Sequence, residues 1–370
     1  MKETDRTTHE HYMRMAISLA ERGTGCVSPN PRVGCVLVKD RAIVGWGYHR
    51  RYGGPHAEVE ALRMAGALAA GATAYVNLEP CSHFGKTPPC APQLAAAGVA
   101  RVIAGMRDPN PRVDGTGLRC LEEAGIQTMT GVLESECKWL NRGFIRTMTL
   151  GRPWVTVKAA MSLDGDIALA GGESKWISGP LSRSKAHLLR SEHDAVLVGV
   201  GTILADDPEL TVRLVEGKSP LRVVLDSRLR TPTDAKVVGD GKCLFLTGED
   251  APEERASALE RRGARILRLA MDEATGRPSI ERILSSLASE GISMLLVEGG
   301  SSVISAFTKA RMVDEYSLFV APVFLGRGLQ LAGELSLDHM GEAIALSPAR
   351  IKQVEGDLWL EVNPKCSPAL

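Results

Sequence analysis

Pro55-His56-Ala57-Glu58-Val59-Glu60-Ala61-Leu62 and, further on, Glu79-Pro80-Cys81-Ser82-His83-Phe84-Gly85-Lys86-Thr87-Pro88-Pro89-Cys90 are the stretches around which this chain is organised. One imidazole and two thiols can hold Zn²⁺ in a tetrahedron. Three protein ligands leave the fourth position open for water, which marks a catalytic rather than a structural zinc. His56, Cys81 and Cys90 supply such a set, and Glu58 lies two residues past His56, in reach of that water without being a ligand. Zinc lowers the pKa of bound water to roughly 7, and a neighbouring carboxylate can ferry its protons.

An H-x-E segment followed by P-C-x-x-C is the pattern of zinc deaminases. This chain departs from it once: eight residues separate Cys81 from Cys90. A longer loop still closes on one metal, because closure entropy grows slowly with length. Pro80, Pro88 and Pro89 stiffen the return, since proline fixes φ. The competing readings are a structural zinc knot, or two buried cysteines beside a core histidine. Glu58 in register with three ligands favours the catalytic reading.

The rest of the composition fits a globular enzyme. A chain of 370 residues suggests two or three domains, and 44% apolar residues suffice for a core. Basic and acidic residues number 44 each, so no net field gathers nucleic acid. Eight dispersed cysteines are unlike a disulfide-dense secreted domain. The charged segment from Lys2 to Glu10 has no apolar core of the signal-peptide kind. No run approaches the roughly 20 apolar residues of a membrane span. The expectation is a cytoplasmic protein without membrane or nucleic-acid partners, acting on a small substrate.

Periodicity supplies the elements. Tyr12, Met15, Ala16, Leu19 and Ala20 form a helical stripe. Ser28-Pro29-Asn30-Pro31 forces a turn. Val33 to Val38 and Ala42 to Gly47 read as a hairpin, His56 to Leu68 as a helix and Thr73 to Leu78 as a strand. A helix ending near Gly98, strands from Val99 to Gly105 and Ile126 to Thr130, and a helix from Gly115 to Ala124 complete an alternating α/β layer. His56 and Cys81 are expected at neighbouring helix starts, whose dipoles favour anions.

A boundary is read between Thr147 and Pro153, giving domains 1–148 and 152–370. Beyond it, strands are expected from Pro153 to Ala160, Ala195 to Val200, Leu221 to Asp226, Lys242 to Thr247, Met294 to Val297, Glu315 to Val320 and Ala349 to Val362. Helices are expected over Leu181 to Arg190, Ile280 to Glu290 and from Val303. Two glycine turns leave strands, Gly199-Val200-Gly201-Thr202 and Glu298-Gly299-Gly300-Ser301-Ser302. Such a junction is either an anion site made of unpaired helix N–H groups or a tight packing turn. The first of them lacks the third glycine of the G-x-G-x-x-G fingerprint and its distant acid.

Taken together, Gly45-x-Gly47-x-His49-x-x-x-Gly53-x-Pro55-His56-Ala57-Glu58, the Cys81 loop and Asp108-Pro109-Asn110-Pro111 resemble the deaminase half of the bifunctional deaminase–reductase family of riboflavin biosynthesis. Lys158 to Gly165, Gly172-Glu173-Ser174-Lys175-Trp176-Ile177, Arg190, Gly199 to Arg213, Val223 to Ser227 and Glu298-Gly299-Gly300 resemble its reductase half. Lys175 stands where that family is expected to carry glutamine. The resemblance covers residues from about 10 to 330.

It implies a cytidine-deaminase-like three-layer α/β domain followed by a dihydrofolate-reductase-like α/β domain. It also implies one Zn²⁺ per chain, NADPH and a homo-oligomer. The first half would deaminate a diamino-ribosylaminopyrimidinone phosphate, with Asn30, His49, His83 and Lys86 near the substrate. Asn30 has the alternative role of shaping its turn, Lys86 that of a solvated loop lysine, and His83 that of a fourth zinc ligand. The second half would reduce the ribosyl chain. Cofactor contacts are implied at Ala160, Trp176, Thr202, Asp206, Ser227, Gly299 and Gly300, and substrate contacts at Ser174, Arg190, Leu210, Arg213 and Glu298. Lys158 and Asp206 are the candidates for its proton donor. The alternatives are a deaminase with an inert second half, a polynucleotide-editing deaminase, which 4% aromatic content disfavours, and a zinc scaffold indifferent to Glu58.

Overall fold

The structure, a computed structural model, describes residues 3–84, 87–111, 113–273, 275–347 and 350–370. It divides into two compact units, one running to Gly151 and including Leu370, the other Arg152–Ala369.

In the first unit five strands, β1 (Gly34–Lys39), β2 (Ala42–Tyr48), β3 (Thr73–Val76), β4 (Arg101–Ala104) and β5 (Gln127–Thr130), form a sheet in the order β2-β1-β3-β4-β5. β1 is antiparallel to both neighbours, whereas β3, β4 and β5 run parallel. The run Gly-Cys-Val-Leu-Val is apolar throughout because both faces of β1 are covered. Cys35 and Leu37 enter one core with Ala57, Ala61, Leu94 and Leu121. Val36 and Val38 enter the other with Met13, Ala16, Cys137 and Ile145. Helices Ala57–Ala65, Cys90–Ala96 and Thr116–Glu123 therefore form one outer layer, and Glu3–Glu21, Glu134–Leu140 and Arg142–Leu150 the other.

The stripe of the first helix is turned slightly from the expected one. His9, Met13, Ala16 and Ala20 are its fully buried ridge, with Tyr12, Met15 and Leu19 flanking. The helix expected from His56 to Leu68 is α-helical only to Ala65 and ends in a 3₁₀ turn, Gly66–Ala69.

The second unit holds β6 (Trp154–Met161), β7 (Asp166–Leu169), β8 (Ala195–Gly199), β9 (Leu221–Leu225), β10 (Cys243–Gly248), β11 (Arg265–Leu269), β12 (Met294–Val297), β13 (Glu315–Val320), β14 (Gly328–Gln330), β15 (Arg350–Val354) and β16 (Asp357–Val362). Nine of these make one sheet, ordered β11-β10-β9-β8-β12-β6-β13-β16-β15, and β7 pairs with β14 apart from it. The sheet is parallel from β11 to β13 and antiparallel at the β16-β15 edge. The single strand expected from Ala349 to Val362 is two, because the chain reverses at Glu355-Gly356, where Glu355 takes φ +54°. Apolar residues of β6, β8 and β12 point alternately into cores on the two faces.

Candidate active sites

In the first unit β1 and β2 carry the helix that presents His56 and Glu58. A Cβ on Gly45 would lie 2.4 Å from Ala61 O and one on Gly47 2.6 Å from Ala57 O, so glycine at both places lets helix Ala57–Ala65 lie directly on β2. His56 is the residue just before that helix. Cys90 opens the helix Cys90–Ala96. It is thus Cys90 rather than Cys81 that shares a helix start with His56, because Cys81 belongs to the extended loop ahead of it.

The three ligand atoms lie within 4.8 Å of one another. His56 Nδ1 is 3.2 Å from Cys90 Sγ and 3.5 Å from Cys81 Sγ. Tetrahedral zinc with bonds of about 2.1 Å to nitrogen and 2.3 Å to sulfur sets nitrogen and sulfur roughly 3.5 Å apart. The donor set therefore fits zinc. Nε2 of His56 meets Thr87 Oγ1 at 3.1 Å, which holds the ring with Nδ1 turned to the thiols. The hydrogen bond with Cys90 pulls the Cys81 thiol well down, and His56 adds to this. The same bond and burial push Cys90 up.

Glu58 is buried and its Oε2 has no hydrogen-bond partner. Burial pushes its carboxyl up to about 7, and the neighbouring Cys81 adds to the rise. A carboxylate held away from water with one oxygen unspent is costly, which makes it a candidate for proton transfer.

Asn30 and His49 are brought together. Asn30 Nδ2 lies 3.1 Å from His49 Nε2, and His49 Nδ1 lies 3.0 Å from the Pro55 carbonyl. The His49 ring stands edge-on to that of His56 at 5.5 Å. Burial pulls His49 down, so it is a neutral imidazole that donates from Nδ1 and accepts at Nε2. His83 is exposed and stands outside the ligand cluster, which among the described residues has three members. Lys86 lies outside the described residues.

Glu79 was not singled out by its residue type. Its carboxylate accepts N–H bonds from Asp108, Gly115, Gly117 and Leu118 at 2.9–3.3 Å, tying the strand end before Cys81 to the loop beyond β4. Asp108 is itself pushed up to about 6 by burial, although the Asn110 N–H bonded to its carboxylate opposes the shift.

In the second unit a cavity of about 1390 Å³ opens where β8, β9 and β12 end. It gathers Thr202, Ser227 and Gly300, while Ala160, Trp176, Asp206 and Gly299 are not part of its wall. At Gly299 the packing reading holds, since a Cβ there would meet Val303 Cβ at 2.6 Å. Gly300 lies near the other glycine turn, where a Cβ would be 3.8 Å from Thr202 Oγ1. Trp176 is 70% exposed, with the Arg183 guanidinium 4.5 Å over its ring.

A second cluster joins Lys158, Arg190 and Glu298. Arg190 grips Glu298 through Nε at 2.7 Å and a terminal nitrogen at 2.9 Å, and its other terminal nitrogen donates to Thr211 O. Its fork is thus spent on a carboxylate rather than held free for phosphate. Lys158 Nζ is 3.7 Å from Glu298. Burial pulls Lys158 down and pushes Glu298 up, but the charges of Arg190 and Lys158 outweigh burial and hold Glu298 at about 2. Asp206 pairs with Lys175 at 3.4 Å instead. Leu210 turns its side chain into the core, leaving only its backbone for a ligand. Arg213 pairs with Glu209, and its N–H donates to Nδ1 of the buried His187 at 2.9 Å. Burial, reinforced by Arg190 and Arg213, holds His187 near 4 and therefore neutral. Ser174 is half-buried.

Comparison with known proteins agrees with this geometry. Residues 6–106 match the cytidine and deoxycytidylate deaminase zinc-binding region, and residues 153–360 match the RibD C-terminal domain. A zinc deaminase followed in one chain by such a domain defines a two-headed deaminase–reductase. The riboflavin biosynthesis protein RibD of Bacillus amyloliquefaciens is 44% identical over 362 residues, 96% of each chain. That of Escherichia coli (strain K12) is 43% identical over 371 residues, covering 95% of this chain and 98% of its own. The structure of Acinetobacter baumannii RibD superposes with a TM-score of 0.89 at 37% identity, covering 97% of this chain and 99% of that one. The Thermotoga maritima diaminohydroxyphosphoribosylaminopyrimidine deaminase/5-amino-6-(5-phosphoribosylamino)uracil reductase gives 0.86 at 37% identity, with 97% and 99% covered. The chain belongs to the RibD family of riboflavin biosynthesis, as a zinc-dependent hydrolase and an NADPH-dependent oxidoreductase. No described helix is long and apolar enough to cross a membrane.

Proposed function

We propose that the first unit hydrolytically deaminates the diamino-phosphoribosylaminopyrimidine named for the Thermotoga relative, and that the second reduces the ribosyl chain of the resulting aminouracil. The observation that carries this is the His56–Cys81–Cys90 cluster beside a buried carboxylate with an unspent oxygen. Bound by these three residues, zinc supplies Lewis acidity that makes water a nucleophile at neutral pH. Glu58 accepts a proton from the attacking water as its oxygen bonds to the amino-bearing ring carbon, then delivers it to the exocyclic amino group, whose C–N bond breaks so that ammonia leaves and the carbon keeps the oxygen. Asn30 and His49, already bonded to each other, orient the pyrimidine, and His83 and Lys86, the latter outside the described residues, are the further candidates for substrate contact.

In the second unit Thr202, Ser227 and Gly300 hold the cofactor along the cavity, and Ala160, Trp176, Asp206 and Gly299, outside its wall, are the remaining candidate contacts. NADPH supplies the hydride, and the protein orients donor and acceptor. Ser174, Arg190, Leu210, Arg213 and Glu298 form the substrate side. Of the two candidate proton donors, Lys158 is favoured over Asp206, because it lies against Glu298 while Asp206 is paired with Lys175. A cytoplasmic homo-oligomer belongs to the same reading, supported by the outer edge strand β15 with its exposed Ile351.

The test feeds the pure protein the diaminopyrimidine phosphate with NADPH and follows ammonia and NADPH separately. Glu58→Gln should lose deamination by about 10²–10⁴-fold while retaining one zinc. Full deamination by that variant would sink the reading. Light scattering of the eluting protein tests the oligomer.

A further inference from the structure

We propose that Asn141, together with Asn77, is a positioning residue of the deaminase half, gripping the backbone from Arg32 to Gly34 and thereby setting how Asn30 meets His49. The proposal rests on Asn30 and His49 orienting the pyrimidine, as described above.

Residues 31–33 lie between the turn that carries Asn30 and the start of β1, outside any helix or strand. Their polar backbone groups therefore need partners from elsewhere. Asn141, 109 residues further along the chain, meets two of them. The Arg32 N–H donates to its Oδ1 at 2.8 Å, and its Nδ2 donates to the Arg32 carbonyl at 3.0 Å. Asn77, just past the end of β3, works from another direction. Its Nδ2 donates to the same carbonyl at 2.9 Å, and the Gly34 N–H donates to its Oδ1 at 2.8 Å. Both amides are buried, and each spends its oxygen and its nitrogen on the one segment. Turned end for end, either would set its NH₂ against an N–H and its oxygen against a carbonyl.

The anchor is itself fixed. Asn141 occupies the break between helices Glu134–Leu140 and Arg142–Leu150. Its N–H bonds back to the carbonyls of Cys137 and Lys138, and its own carbonyl accepts the Ile145 N–H at 2.9 Å. The gripped segment has no room to shift on its other side, because a Cβ at Gly34 would run into Ala16 O of the first helix. Its next carbonyl, that of Val33, accepts the His49 N–H at 2.9 Å. Two residues before Arg32, Asn30 Nδ2 reaches His49 Nε2 at 3.1 Å. The clamp therefore holds both sides of that contact, the backbone leading to Asn30 and the carbonyl that seats His49. Buried amides are costly unless satisfied, and a fully satisfied buried network specifies one arrangement. A leucine at 141 would fill a similar volume while withdrawing two of the bonds that hold Arg32, and Asn30 would no longer be aimed at His49.

The experiment measures kcat and KM for ammonia release from the diaminopyrimidine phosphate, on the zinc-loaded full chain. It uses wild type, Asn141→Leu, Asn30→Ala and the double variant, with zinc content and thermal midpoint on each sample. Asn141→Asp is carried in parallel, since it keeps an acceptor for the Arg32 N–H but turns an oxygen on the Arg32 carbonyl, and it serves if the leucine protein does not fold. Contacts that hold the substrate equally in the ground and transition states act on KM, so each Asn141 variant should raise KM about tenfold and leave kcat within about threefold. Zinc should be retained, and NADPH oxidation with the pre-deaminated substrate should be unchanged. If Asn141 acts through Asn30, the double variant should be no worse than Asn30→Ala alone. The assignment is overturned by a folded Asn141 variant with wild-type constants, by a fall in kcat at unchanged KM, or by losses that multiply in the double variant. Wild-type constants for Asn30→Ala would instead defeat the reading of Asn30 as a substrate contact, and the clamp with it.

Discussion

Gly47→Ala should damage deamination from outside the site. Its Cβ would stand 2.5 Å from Glu60 Cβ, 2.6 Å from Ala57 O and 2.8 Å from Ala61 N, all on the first turns of the helix that begins after His56 and carries Glu58. None of these is the free end of a flexible side chain, so ordinary contact is restored only if the helix backs away by roughly 1 Å. Overpacking of this kind costs about 1–3 kcal/mol. A displacement of about 1 Å at the reacting groups costs up to roughly a hundredfold in rate. The measurement is ammonia release under saturating substrate, with zinc content and thermal midpoint on the same sample. Deamination should fall about 10–100-fold, while NADPH oxidation with the pre-deaminated substrate stays at the wild-type rate. Gly171→Ala, where a Cβ meets nothing within 4 Å, is the control. Wild-type ammonia release from a Gly47→Ala protein of unchanged midpoint would refute the claim that helix seating positions Glu58.

Asp314→Ala should be among the most damaging changes in the second unit. It strands the buried Arg152, which now pairs with both carboxylate oxygens at 2.6 and 2.9 Å, and a loss of about 3–5 kcal/mol in urea titrations is expected; a loss under 1 kcal/mol would contradict this. Glu298, held near 2 against an ordinary 4.5, lends stability that is complete above about pH 4.5 and disappears as pH falls through 2. Glu298→Gln should therefore flatten the acid limb of the stability curve between those values, and an unaltered limb would count against the ion cluster. Removing zinc with a chelator should abolish ammonia release and leave reduction of the pre-deaminated substrate intact; coincident loss of both would mean the two chemistries are not separable.

What could be read in advance was whatever the chemistry confines to few residue types. A tetrahedral metal accepts only certain donors, so His56, Cys81 and Cys90 announced themselves. β1 was legible because a strand covered on both faces must be apolar throughout. By contrast Arg265–Leu269 escaped, since β11 lies at the sheet edge, its five residues include two arginines, and only Leu269 is fully buried. The helices Glu134–Leu140 and Arg142–Leu150 are short and interrupted at Asn141, which blurs the period. The partners of Glu79 are backbone N–H groups, which every residue but proline owns and no residue type betrays. Thr87 was quoted in its loop, but nothing in its identity told that it would hold the far side of the His56 ring.

The carboxylate of Glu79 has a consequence for how this chain can drift. Both of its oxygens receive, and none of the four amides around it can turn away. Glutamine, the same size, would aim an NH₂ at amides that themselves only donate. Aspartate would fall a methylene short of them. Neither near-substitute can take its place, so the segment carrying one zinc thiolate is tied to an acid that never meets the ion.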